Sequence, residues 1–252
     1  MIIHSFTMKQ IDSYTLTVPD IHGFETIRIF MSTREAGSMT YIPQNGNIIR
    51  NEWLVNHGIN PKICCGLLLE HGKKIYTIDN SIKEFDGKQG DGILLKKGSN
   101  FSACSITVAD CVPIFIVTHE TEYIGILHSG YKGTGILESA LVLLSNELGY
   151  ASGDIKILLG PHIRECCYEV DKERAELFIK HYGNESVKNN NGLYYINLMQ
   201  ANIAIAERFG ISELWVADDC TSCNTVFGSY RRERPEQFTR MIAVIAYANE
   251  EI

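Results

Sequence analysis

Two neighbouring apolar stretches constrain the fold most: residues 106–117 and, after a short polar break, residues 123–127. Strands that are apolar on successive residues are covered on both faces, so these runs predict buried sheet strands with further layers above and below. Each run also carries a polar group that a core would not choose. Asp110 and Cys111 stand beside Pro113, and His128 ends its run where a glycine-rich turn, residues 130–135, leads into a helical pattern. A thiol and an imidazole are thereby delivered to one end of a sheet, a position that usually carries chemistry.

Around this centre, strand-like runs occur at residues 15–18, 27–31, 65–69, 74–78, 92–95, 155–159 and 213–217. Helical periodicity occurs at 47–57, 135–148, 171–182, 196–209 and 237–249, with Gly149 and Gly210 stopping two of these helices. Helices and strands alternate only in part, which argues against an all-parallel doubly wound sheet. The expectation is an α/β (α+β) fold, a mixed-sheet α/β/β/α sandwich. No repeat or linker divides the 252 residues, so the chain, residues 1–252, reads as a single domain.

The net charge of -7 has no basic block within it, which speaks against a nucleic-acid or anionic-membrane partner; an anionic substrate has to be caught by a local cation cluster. The chain begins in strand-like sequence rather than a secretory signal, and no apolar stretch reaches membrane-spanning length, so a cytoplasmic location is expected. The eight cysteines then read as thiols or ligands rather than a disulfide framework. Oligomeric state leaves no trace in the sequence.

His71 repeats the pattern of Cys111 and His128, a ligand-type residue at the exit of an apolar run. Either these are three unrelated strand-end residues, or they converge as two imidazoles and a thiolate, a sound catalytic zinc set that keeps a fourth position open. Other signals are weaker. Cys220 and Cys223 form a lone C-x-x-C, and Cys166-Cys167 reads as a pair of partly buried thiols. His162 follows the Gly160-Pro161 turn and is close enough in sequence to that turn to approach the site, whereas the remaining histidines lack ligand spacing.

Across nearly its whole length the chain resembles a family first described as multicopper polyphenol oxidase (laccase)-like and now regarded as purine nucleoside phosphorylases with adenosine deaminase activity. The likeness is carried by Phe30-Met31-Ser32-Thr33-Arg34, His71-Gly72, Ala109-Asp110-Cys111-Val112-Pro113, His128-Ser129-Gly130-Tyr131-Lys132-Gly133, Gly160-Pro161-His162-Ile163 with Tyr168-Glu169-Val170, Cys220-Thr221, and Phe227-Gly228-Ser229-Tyr230-Arg231-Arg232. The resemblance implies zinc on His71, Cys111 and His128, with copper the second choice. It also implies phosphorolysis of purine nucleosides (adenosine, inosine, guanosine, methylthioadenosine), accompanied by adenosine deamination. The chain departs from the family pattern at Leu69, Tyr131, Lys132 and Asn197, where glutamine, tryptophan, arginine and aspartate are usual.

Phosphorolysis needs an anion site, for which Arg34, Lys132, Arg231 and Arg232 are the candidates, with only one of the adjacent arginines expected inside. Tyr131 offers an aromatic face, and by resemblance Cys220 lines the pocket. Asp110 and Glu70 are the proton carriers on offer; each neighbours a ligand, and which of them faces the pocket stays open. The nucleobase-deaminase signature H-x-E with P-C-x-x-C is absent. Literal multicopper chemistry needs paired His-x-His motifs, and none of the eight histidines forms one. Two rivals remain: a metal-free thiol hydrolase or deamidase with Cys111 as nucleophile and His128 as base, and a non-catalytic module whose zinc is closed off by Cys104 or Cys220 as a fourth ligand.

Overall fold

The computed structural model describes residues 1–234 and 236–248. In chain order the elements are β1 (Ile2–Phe6), β2 (Lys9–Asp12), β3 (Thr15–Thr17), β4 (Ile27–Ser32), α1 (Ile48–Asn56), β5 (Cys64–Cys65), β6 (Ile75–Ile78), β7 (Gly92–Lys96), β8 (Ala103–Val108), β9 (Val112–Thr118) and β10 (Tyr123–Ser129). There follow α2 (Ile136–Val142), β11 (Ile155–Leu159), β12 (Glu169–Val170), α3 (Lys172–Tyr182), β13 (Val187–Asn190), β14 (Leu193–Ile196), α4 (Leu198–Arg208), β15 (Glu213–Ala217), α5 (Tyr230–Glu233) and β16 (Met241–Tyr247). They build a seven-stranded mixed sheet, β1-β15-β11-β9-β10-β7-β6, and a six-stranded sheet, β2-β3-β4-β16-β8-β5. A small third sheet, β12-β14-β13, was not anticipated from the sequence.

Strand alternation sorts the apolar side chains into three cores. Phe115, Val117, Ile124 and Ile126 from the larger sheet meet Met31, Cys104, Ile106, Ala243 and Ile245 from the smaller one. The opposite face of the larger sheet, through Ile114, Ile116 and Leu127, packs on α2 and α4 by way of Leu137, Ala140, Ala201 and Ile205. The outer face of the smaller sheet, through Ile242, Val244 and Ala246, packs on Trp53 and Leu54 of α1. The order is therefore α/β/β/α in one domain, as the mixed pattern predicts. Phe115 is fully buried between the sheets; cutting such a ring back to alanine costs about 3–5 kcal/mol.

Three expectations give way. The strand expected over 65–69 is only the two-residue β5, with an isolated bridge at Leu68 beyond it. The helix expected over 237–249 is the strand β16 in the middle of the six-stranded sheet, and residue 249 of that stretch lies outside the described residues. A seven-residue run that is buried at every position carries no period to tell strand from helix, and here pairing with β4 and β8 decides. The run 106–117 is two strands in different sheets, because the chain crosses between them at residues 109–111, with Asp110 at φ 82°. Among the described residues no helix is long and apolar enough to cross a membrane.

Candidate metal centre and its cavity

The β9–β10 hairpin sets the geometry. Its register pairs His128 with Pro113 and Ser129 with Val112, so Cys111, one residue before β9, stands beside Gly130, one residue after β10. A Cβ on Gly130 would lie 2.6 Å from the Cys111 sulfur, so only glycine leaves room for the thiol. His128 shares its strand face with Ile126 and therefore looks into the space between the two sheets. The third group arrives on the turn after residue 69. His71 adopts φ 60°, and its carbonyl neighbour Gly72 approaches the Gly130–Gly135 turn so closely that a Cβ on Gly133 would meet the Gly72 oxygen at 2.8 Å.

These three side chains converge: the ligand atoms of His71, Cys111 and His128 all lie within 4.8 Å of one another. The two imidazoles stand nearly perpendicular, with ring centroids 4.8 Å apart. Among the described residues no fourth histidine, cysteine or carboxylate joins the group. Cys104, one of the two candidate closing ligands, is instead sealed in the interior beside Cys65.

One carboxylate that sequence reading missed organises the cluster. Asp91 is completely buried and accepts hydrogen bonds from the backbone N–H of His71 (2.8 Å) and of Gly72 (2.8 Å), while His128 Nδ1 lies 3.1 Å from the same group. It thus holds the strained His71 turn and fixes the orientation of the His128 ring, the arrangement by which second carboxylates tune metal-ligating histidines. The only trace of it in the sequence is an aspartate set between Gly90 and Gly92 at the entry to β7.

The electrostatics favour a cation. Burial alone would lower the His128 pKa, but the Cys111 sulfur and the Asp91 carboxylate push it up to about 9. Asp91 itself is lowered in spite of burial, by its hydrogen bonds to His128 and to the Gly72 and His71 amides. His71 is lowered by burial and by the positive His128, with Lys132 and Arg240 adding to the effect. A pocket that draws a positive charge onto one imidazole and keeps a second one neutral suits a metal ion bound by thiolate and imidazole.

The cluster opens into a cavity of about 1290 Å³. Its walls include Leu69, Glu70, Tyr131, Lys132, Ile163, Tyr168, Leu177 and Phe238. Three arginines lie at it, each over an aromatic ring that also lines it: Arg231 over Tyr168 (5.4 Å), Arg174 over Tyr131 (5.9 Å) and Arg240 over Phe238 (4.1 Å). With Lys132 they make four cations facing one space. Arg174 and Arg240 were not foreseen, since neither belongs to a motif.

Several expected site residues have other tasks. Asp110, expected as a proton carrier, has both oxygens engaged, accepting from Thr221 Oγ1 (2.6 Å), Ser229 Oγ (3.0 Å) and the Arg231 amide (2.7 Å). It ties down the turn that presents Cys111. Glu70, Asp171 and Glu173 are the other carboxylates at the cavity, and of these Glu70 neighbours the ligand His71. Arg34 is exposed in a turn away from the cavity. Arg232 points into its own loop, donating to the carbonyls of Thr221, Ser222, Asn224 and Phe227, so Arg231 is the arginine inside and Arg232 a loop clamp rather than a surface charge. Cys220 does not line the cavity; its sulfur belongs to a second cluster with Cys166, Cys167 and Cys223. His162 is also outside, fully buried with Nδ1 on the Gly160 carbonyl, and burial lowers its pKa to about 4. Helix α2 begins only at Ile136, so Lys132 stands in the preceding turn rather than at a helix end.

A family model described as multi-copper polyphenol oxidoreductase laccase matches residues 43–248. The chain is 31% identical over 177 residues to a protein of Borreliella burgdorferi named purine nucleoside phosphorylase, covering 68% of this chain and 75% of that one. It is 30% identical over 216 residues to the purine nucleoside phosphorylase YlmD of Geobacillus stearothermophilus, covering 79% and 76%. The crystal structure of YlmD from that organism superimposes with a TM-score of 0.83 at 24% identity, over 95% of this chain and 98% of the other.

Proposed function

The chain belongs to the multi-copper polyphenol oxidoreductase laccase family, and from that membership together with the site we propose that it is a zinc-dependent purine nucleoside phosphorylase. Its single domain spans residues 1–252. Its substrates are adenosine, inosine, guanosine and methylthioadenosine with inorganic phosphate, and adenosine deamination is a second reaction of the same pocket. The observation that carries this reading is the three-ligand cluster opening into a cavity faced by four cations.

His71, Cys111 and His128 would hold the zinc, which supplies a Lewis acid with one coordination position left open. Lys132, Arg174, Arg231 and Arg240 bind phosphate and place it beside the ribose. The rings of Tyr168 and Phe238, with Leu69 and Ile163, receive the flat purine and shield the glycosidic bond from water. In phosphorolysis the bond from C1′ to the purine nitrogen breaks while a bond from C1′ to a phosphate oxygen forms, and the base leaves with a proton. Glu70, the carboxylate next to the ligand His71, would exchange that proton and would serve deamination in the same way. The copper chemistry in the family's description has no support in the histidine pattern, since eight histidines without a His-x-His pair cannot assemble a blue site and a trinuclear cluster.

One arrangement favours a second reading. Cys111, His128 and Asp91 stand in the order of a nucleophile, its base and the carboxylate that orients the base. A thiol hydrolase would work without metal and would be silenced by iodoacetamide.

The test is to incubate purified protein of known metal content with adenosine or inosine, with and without phosphate, and to separate the products. Phosphate-dependent release of adenine or hypoxanthine with ribose 1-phosphate supports the proposal. Phosphate-independent turnover in metal-free protein that alkylation abolishes would replace it with the thiol hydrolase.

A further inference from the structure

Away from the cavity, Cys166, Cys167, Cys220 and Cys223 bring four sulfur atoms together, all within 4.8 Å of one another. The individual separations are 3.7 Å for Cys166 to Cys167, 3.6 Å from Cys166 to Cys220 and to Cys223, and 3.3 Å for Cys167 to Cys223. All four are free thiols. A tetrahedral zinc with bonds of about 2.3 Å sets its sulfurs on edges of about 3.8 Å. A disulfide, by contrast, needs about 2.0 Å. The cluster has the size of the former.

The surrounding backbone fits the same use. Cys166 and Cys167 sit in a tight turn in which the amides of Cys167 and Tyr168 both donate to the Arg164 carbonyl. Cys220 and Cys223 form a C-x-x-C turn closed by the Asn224 amide on the Cys220 carbonyl. The Arg164 amide donates to the Cys220 sulfur (3.4 Å), a contact that stabilises a thiolate, and a parallel bridge from His162 to Cys220 fixes the two turns side by side. Sequence spacing did not couple the two pairs, because they lie more than fifty residues apart.

We infer that these four cysteines form a second, structural metal site for a thiophilic divalent ion of the zinc class, closed by four thiolates. Binding sends four thiol protons to solvent and moves no electrons. The site staples the turn that carries Ile163 and Tyr168 to the loop that carries Thr221, and Thr221 in turn holds Asp110 behind Cys111. Its work is to hold one wall of the cavity, and with no open position it takes no part in the reaction. This inference does not depend on which reaction the cavity performs.

The experiment is metal analysis of the full chain purified without chelator, in wild type, His128→Ala and Cys166→Ser/Cys223→Ser. About two zinc ions per chain are expected in wild type and about one in each variant. Cobalt-loaded wild type gives a second readout that does not require the variants to fold, since a four-thiolate site produces a far stronger sulfur-to-cobalt charge-transfer band than a site with one thiolate. That band is expected to persist in His128→Ala. One zinc per chain in wild type with only a one-thiolate cobalt spectrum would overturn the inference. So would native protein whose four thiols are already paired as disulfides and bind no metal.

Discussion

The two sulfur-containing clusters differ in what surrounds them. His71, Cys111 and His128 come from three separate places in the chain, supply three ligands, and open into a large cavity lined with cations. Cys166, Cys167, Cys220 and Cys223 come from two turns, supply four ligands, and do not line that cavity. Both contain soft donors at bonding range of one ion, so donor chemistry alone does not separate them. The number of ligands and the adjoining space do: a site with an open position can bind and activate, and a closed one can only hold. The contrast also appears in the supporting shell. Behind the first cluster stands a buried carboxylate that orients a ring, and behind the second stand backbone turns that fix two loops.

Substitution should separate the clusters sharply. Replacing His128 by alanine is expected to lower nucleoside phosphorolysis by ~10³-fold or more, the loss of several kcal/mol of transition-state stabilisation. The thermal midpoint falls as well, because that variant also loses a zinc. Equal loss of activity in Cys166→Ser/Cys223→Ser would erase the distinction. That double variant should lower the midpoint with far less loss of activity: with metal near a hundredfold above its dissociation constant, losing the site removes about 3 kcal/mol of stability. In a chain of this length that is on the order of 10 °C in a melting experiment. An unchanged midpoint would remove the structural role.

A finer test addresses the carboxylate behind the open cluster. Asp91→Asn is expected to weaken metal binding at His71, Cys111 and His128 by ~10–100-fold, with activity returning when excess zinc is supplied. Unaltered affinity in a chelator competition would mean that Asp91 positions nothing. The smallest effect is expected from Arg240→Ala, about a tenfold rise in KM for phosphate with little change in KM for inosine, the low end of a hydrogen bond to a charged group. The same change at Arg34, which lies off the cavity, should leave both values where they are. A phosphate effect at Arg34 and none at Arg240 would reverse the assignment of the anion site.

Much of this was legible in the chain. Uninterrupted apolar runs marked the central strands, and the polar residues at their ends marked the open cluster, because a hairpin's register fixes which residues end up side by side. His71 was marked by the apolar residues before it, although residues 66–69 form no strand and no hairpin register places it. What was not readable depends on distant parts of the chain meeting. Asp91 acts through two backbone amides and a ring nitrogen brought to it by other strands. Arg174 and Arg240 face the cavity only because α3 and the chain before β16 pass its rim. Cys166-Cys167 looked like an isolated pair until the turn after β15 supplied its complement. The strand β16 looked like a helix since a run buried at every position shows no period. Asp110 failed differently: its place next to Cys111 was visible, but its three donors come from residues 221–231, and they turn a candidate proton carrier into an anchor.

The most direct measurement is anomalous diffraction at the zinc absorption edge from crystals of the full chain soaked with a non-cleavable nucleoside analogue and phosphate. The account predicts a peak held by His71, Cys111 and His128 with no fourth protein ligand, the purine inside the cavity, and phosphate beside Lys132 and Arg240. No peak there, a fourth protein ligand closing the site, or an analogue bound away from it would contradict the account.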